Sequence, residues 1–171
     1  MAFNRFQWHI ALAFLGMVLA PVAASAQTQF PVNDALADIR GGTSIPIYLP
    51  EVYPVSEPVY VNGLTSPDGY YLTLDYTPNC EGATACSVGN LTAEQDGYRY
   101  TESDLEAGDR LETVPLANGV TGQFVNLCGA YCSAILQWDM QGVLYTVYMK
   151  NGSLEDVVEI ANSAIQAGPR N

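Results

Sequence analysis

The stretch "AILQWDMQGVLYTVYMKNGSLEDVVEIANSAIQAGP", residues 134 to 169, admits few structures. Two runs, "AILQWD" and "VLYTVYMK", flank "MQG". In the second, Val143, Tyr145, Val147 and Met149 alternate with Leu144, Thr146, Tyr148 and Lys150. A period of two is what a pleated strand imposes, and the modest difference between the two sets predicts that both faces are partly covered. Ser153 followed by Asp156 forms a capping-box pattern, and Leu154, Val157, Val158, Ala161, Ala164 and Ile165 make an apolar stripe at helical spacing. Gly168-Pro169 ends that helix. A strand pair followed by a one-sided helix buries the helix stripe on the sheet.

Upstream, "PVNDALADIRGG" predicts a short helix capped by Asn33 or Asp34 and ending at Gly41-Gly42. "TSIPIYLPEVYPVSEPVYVNGL" carries prolines 46, 50, 54 and 58 and is expected to be an edge strand or an extended hydrophobic segment. "SPDG" is a turn that launches "YYLTLDYT", where Tyr70, Leu72, Leu74 and Tyr76 alternate with Tyr71, Thr73, Asp75 and Thr77. "PNCEGATACSVGN" reads as a cysteine-bounded loop, "GYRYTE" as a short strand and "SDLEAGD" as an acidic turn. "RLETVPL" and "VTGQFVNL" are two further strands joined at "ANG". The expectation is an α+β fold: a curved antiparallel sheet with a short N-terminal helix and a C-terminal helix packed on one face.

Residues 1–26 carry Arg5 and His9, an apolar stretch from Ile10 to Ala20, and Ala24-Ser25-Ala26, the pattern of a cleaved export signal. The apolar stretch is shorter than the roughly 18 to 20 residues that span a bilayer, so contact with a membrane is expected only through this leader before cleavage. Residues 27–171 are then expected to form one disulfide-bearing domain in a periplasm or outside the cell.

Cleavage removes the sole histidine and leaves Arg40, Arg99, Arg110, Lys150 and Arg170 against 18 carboxylates. Counterion release needs clusters of Lys and Arg, so nucleic acid is not an expected partner. Without histidine, Ser-His-Asp and Cys-His nucleophiles and histidine zinc sites are excluded, and no residue pattern calls for a cofactor. Lys150, the one lysine, follows a strand and precedes Asn151-Gly152, where a turn charge is the ordinary reading. The run from Glu102 to Glu112 lacks the ligand spacing of a calcium loop.

An even cysteine count behind an export signal predicts disulfides. Cys80, Cys86, Cys128 and Cys132 allow three pairings. Two local bridges, Cys80 with Cys86 and Cys128 with Cys132, are favoured, and a crossed pairing that ties the two loops together is the alternative. A strand would hold Cys128 and Cys132 about 13 Å apart, against about 6 Å in a turn, so a local bridge forces Gly129-Ala130-Tyr131 to turn. CGAYC has one residue too many for a C-x-x-C redox centre, and the five-residue gap between Cys80 and Cys86 departs from zinc-knuckle spacing. No metal is expected.

Tyrosine is abundant, at 11, all of it after the leader. Tyr70, Tyr71, Tyr98, Tyr100 and Trp138 are the candidate binding rings, suited to stacking on sugars or holding a protein. The expected function is a non-enzymatic binding or interaction module for a protein or glycan. The alternatives are a carboxylate-dependent glycan hydrolase, with Asp139 and one acid of the Glu102 to Glu112 run as its pair, and an acidic inhibitor of a cationic enzyme.

"SIPIYLP", "NCEGATAC", "CGAYC", "ILQWDMQGVLYTVYMK" and "LEDVVEIANSAI" together resemble a family of small exported bacterial proteins of unknown function. They are less closely similar to the extracytoplasmic domain of some anti-sigma-type regulators. The resemblance spans about residues 35 to 166 and implies the architecture, with no activity attached.

Overall fold

The computed structural model describes residues 26–106 and 108–170; the expected leader lies outside them except for Ala26. The chain runs β1 (Thr28–Gln29), α1 (Val32–Ile39), β2 (Val52–Tyr53), β3 (Tyr60–Ser66), β4 (Gly69–Asp75), β5 (Ser87–Gln95), β6 (Glu112–Pro115), β7 (Thr121–Cys128), β8 (Cys132–Met140), β9 (Val143–Lys150) and α2 (Leu154–Ala167). β1 and β2 pair with each other, and the other seven strands form one antiparallel sheet in the order β3-β4-β5-β9-β8-β7-β6. The α+β class stands. Among the described residues no helix is long and apolar enough to cross a membrane.

Strand register lines up one apolar face. Tyr70, Ala93, Tyr145 and Trp138 are successive cross-strand partners, and so are Leu72, Leu91, Val147, Leu136 and Phe124. α2 packs on β8 and β9 through Val157, Ile160, Ala161, Ala164 and Ile165, while α1 packs on β3. Ser153 Oγ accepts the Asp156 N–H and the Asp156 carboxylate accepts the Ser153 N–H, so the capping box forms as the pattern requires. Between the helices, Ile45, Ile47, Tyr48 and Leu49 lie extended in the same core. Tyr145 donates its hydroxyl to the Pro46 carbonyl at 2.8 Å, and Tyr48 meets the Tyr145 ring edge-on with centroids 5.3 Å apart.

The proline-rich segment therefore divides. Residues 43–51 cover the core face without joining a sheet, β2 pairs with β1 alone, and β3 becomes an edge strand of the large sheet. That edge is shielded, because Asp38 of α1 accepts the Gly63 N–H at 2.9 Å and occupies a backbone donor that a foreign strand would use. The opposite edge, β6, is four residues long and ends in Pro115.

Three expectations are corrected. α1 starts at Val32 after Pro31, before the cap residues read from the sequence, and no side chain caps it. Residues 97–101 are not a strand; they cross the other face of the sheet, where their backbone bonds to Gln137. "SVGN" is not loop but the start of β5, an interior strand of the sheet that pairs with β4 and β9. Its period is broken by a bulge: Leu74 pairs with Gly89 and Asp75 with Ser87, leaving Val88 over.

Gly89 is fixed by the approach of β9. A Cβ there would overlap the Tyr148 carbonyl oxygen and come within 3.1 Å of the Tyr53 hydroxyl. Gly89→Ala is expected to cost about 3 kcal/mol, read from the urea midpoint, through forced separation of β5 from β9. A loss no greater than that of an ordinary surface substitution, about 0.5 kcal/mol, would mean that the two strands do not meet there.

Candidate functional site

The outer face of the sheet, opposite the helices, is covered over one half and open over the other. On the β7-β8 half, Val125, Ile135 and Gln137 are buried, and the segment that follows β5 lies over Gln137. Gln137 clamps that segment: its amide nitrogen donates to the Tyr98 carbonyl and its oxygen accepts the Tyr100 N–H, each at 2.9 Å. Arg99 pairs with Asp139 and also donates to the Gln123 amide oxygen. Backbone groups with no ladder partner are thereby satisfied by side chains.

The β3-β4-β5 half keeps Leu64, Tyr71, Thr73 and Asn90 wholly or partly open, with Leu64 73% and Tyr71 39% exposed. At the seam between the halves a groove of about 250 Å³ runs between the two cysteine loops. Cys80 and Cys86 are bridged, as are Cys128 and Cys132, with Cα atoms 5.8 and 4.0 Å apart. The second bridge joins directly opposed residues of β7 and β8 and closes Gly129-Ala130-Tyr131 as the turn of that hairpin. Gly82 and Thr84 from one loop and Tyr131 from the other line the groove, and Thr73, Asn90 and Tyr148 are also part of its lining.

Lys150 ties the two loops together. Its ammonium donates to the Thr84 carbonyl and lies 5.2 Å from the centroid of the Tyr131 ring. A cation over an aromatic face is attracted by the ring quadrupole, so one charge holds both walls. Beside it, Asp75 lines the same groove and is 4% exposed. Its carboxylate has no hydrogen-bond or ion-pair partner among the described residues, and burial raises its pKa above the ordinary carboxylate value.

Among the residues singled out from the sequence, Tyr71 lines this groove. Tyr70, 3% exposed, is in the core, donating its hydroxyl to the Tyr48 carbonyl at 3.0 Å. Trp138, also 3% exposed, stacks on Tyr145 with ring centroids 5.6 Å apart. Neither ring is presented to a partner. Tyr98 and Tyr100 pack edge-on against each other on the covering segment, away from the groove lining. Hydrogen bonds from the Thr101 hydroxyl and then from Tyr98 hold the Asp104 carboxyl below the usual carboxylate range.

Asp139, whose side chain is largely exposed, is paired with Arg99. Asp75, Asn90 and Lys150 were missed as site residues. The signal for Asp75 was present: it shares the outward set of β4 with Tyr71 and Thr73 in an otherwise uncharged strand. The described residues hold no cluster of three or more His, Cys, Asp or Glu side chains suited to a metal ion.

An unpaired, buried carboxylate opposes folding. The folded chain holds the Asp75 proton more tightly than the unfolded chain does, so the penalty is absent well below the free carboxylate pKa of about 3.9 and complete above the raised folded value. Asp75→Asn is expected to raise the urea midpoint at pH 7, with the gain shrinking towards zero as the pH falls towards 4. A gain equal at both pH values, or a loss at pH 7, would contradict an uncompensated charge. No family model, curated protein or solved structure matches the chain.

Proposed function

We propose that the protein is an exported binding module of the cell envelope or extracellular space, and that the groove between its two disulfide-closed loops is the recognition surface. The observation that carries this reading is Asp75, a carboxylate in the groove wall that is 4% exposed and has no partner among the described residues, a placement whose desolvation works against folding. Side chains that lower stability are retained where function uses them. The surroundings suit recognition: both walls are covalently closed, and Lys150 bridges them before any ligand arrives. Preorganised walls lower the ordering cost of binding.

Export accords with the leader pattern, with two disulfides in the folded chain and with the resemblance to small exported bacterial proteins. Glycoside hydrolysis by paired acids needs two facing carboxyl groups, and the groove lining contains one, Asp75. Recognition without bond cleavage is therefore the reading that the groove supports best.

Asn90→Trp places a bulky ring in the groove floor from a position already facing outward. On an immobilised panel of soluble glycans and peptides, a ligand held by the native protein is expected to lose at least tenfold in affinity to this variant, roughly what forfeiting a single good contact costs. Its circular dichroism melt should be retained. A ligand held equally well by the filled groove would place recognition elsewhere on the molecule.

A further inference from the structure

Building on the groove as the recognition surface, we infer that it takes a neutral polyhydroxylated ring, one sugar unit of an uncharged glycan, with Asp75 accepting from and Lys150 donating to its hydroxyl groups. The two charges are the basis. Asp75 and Lys150 line one groove, yet no ion pair joins them, and neither is paired with another charged side chain among the described residues. An anionic ligand would meet the buried Asp75 carboxylate, and a cationic one would meet the Lys150 ammonium. A ligand rich in hydroxyls, each both donor and acceptor, satisfies both charges and repels neither.

The rest of the lining has the same character. Thr73, Ser87 and Tyr148 supply hydroxyls and Asn90 a side-chain amide, which donates and accepts as vicinal hydroxyls do. Tyr71 supplies a ring for the apolar face of a sugar. The volume, about 250 Å³, falls below the 300–1,000 Å³ typical of sites that enclose drug-sized ligands, and so suits a single ring.

The glycan would continue past that ring along the open face. Leu64 pairs across the strands with Tyr71, and Tyr60 with Asp75; Tyr60 and Leu64 are exposed on β3. A second, shallower depression shares Tyr71 with the groove and is lined by Leu64 and Glu94. Ring-bearing and apolar side chains thus extend outward from the polar groove on the same face, a surface for further sugar units.

The test is titration of the disulfide-bonded protein with neutral trisaccharides of glucose, galactose, mannose and xylose, and with two charged controls, a glucosamine trimer and a galacturonate trimer. Backbone amide shifts locate the site and calorimetry gives the affinity. At least one neutral trisaccharide is expected to move the Thr73, Asn90, Tyr148 and Lys150 amides saturably. Asp75→Asn and Lys150→Met, with melts retained, are each expected to weaken it about tenfold or more.

A charged trimer that binds in the groove more tightly than every neutral one would overturn the ligand class while leaving the groove as the recognition surface. So would sugars that leave the groove amides unmoved while a peptide shifts them. If no probe moves any groove amide, and ligands from the immobilised panel are indifferent to Asn90→Trp, both the ligand class and the recognition surface fail.

Discussion

The pairing of β5 with β9 is the contact on which the rest of the molecule depends. Every other neighbouring pair in the large sheet joins consecutive strands: β3 to β4 to β5 on one side, and β6 to β7 to β8 to β9 on the other. The two meanders meet only where Gly89 through Gln95 lie against Val143 through Met149. This contact carries the apolar rows across the sheet, so the core under α2 is continuous with the core under α1. It also brings the two disulfide loops, one from each meander, to opposite sides of a single groove. Such a join is non-local, and its loop-closure entropy is offset only when the whole face closes.

The two faces of the sheet are treated differently. The helix face is sealed by α1, α2 and the extended proline-rich segment, with Tyr145 fixed by stacking on one side and by its hydroxyl on the other. The outer face is sealed only over β7 and β8, where Gln137 holds the crossing segment by both ends of its amide. What remains open on β3, β4 and β5 is polar and aromatic apart from Leu64, and lies next to disulfide-closed loops. Of the chain's 18 acids, Asp75 is the one that is buried among the described residues. The strong negative charge is otherwise spread over the surface, so the chemistry of the groove rests on Asp75 and Lys150 rather than on the overall field.

Where local pattern dictates structure, the sequence was readable. The β8-β9 hairpin, the Ser153–Asp156 cap and the stripe of α2 follow from periodicity and capping chemistry alone, whereas of the three cysteine pairings open to the sequence the local one was only favoured, and it is the one the structure holds. β5 was hidden for a physical reason. The bulge at Val88 sets the buried Val88 and Leu91 three residues apart, where a regular strand sets neighbours on one face two apart, and the core-facing Gly89 and Ala93 carry little side chain. Once β5 is unread, the seam and its groove cannot be inferred. Tyr98 and Tyr100 look like strand residues because their propensity is high, yet Gln137 captures their backbone instead. Trp138 and Tyr70 attract attention as rings, but register places both on the buried face.

The central claim is that the groove exists ready-made, with its walls held by Lys150. The most direct measurement is a nuclear Overhauser spectrum of the ligand-free, disulfide-bonded protein. With the Lys150 Nζ 5.2 Å from the centroid of the Tyr131 ring, it should show cross-peaks from the adjoining ε-methylene protons to that ring, with those protons shifted upfield by the ring current. Lys150 ε-protons at their free-chain position, with no cross-peak to Tyr131, would mean that the walls are not joined and would contradict the account.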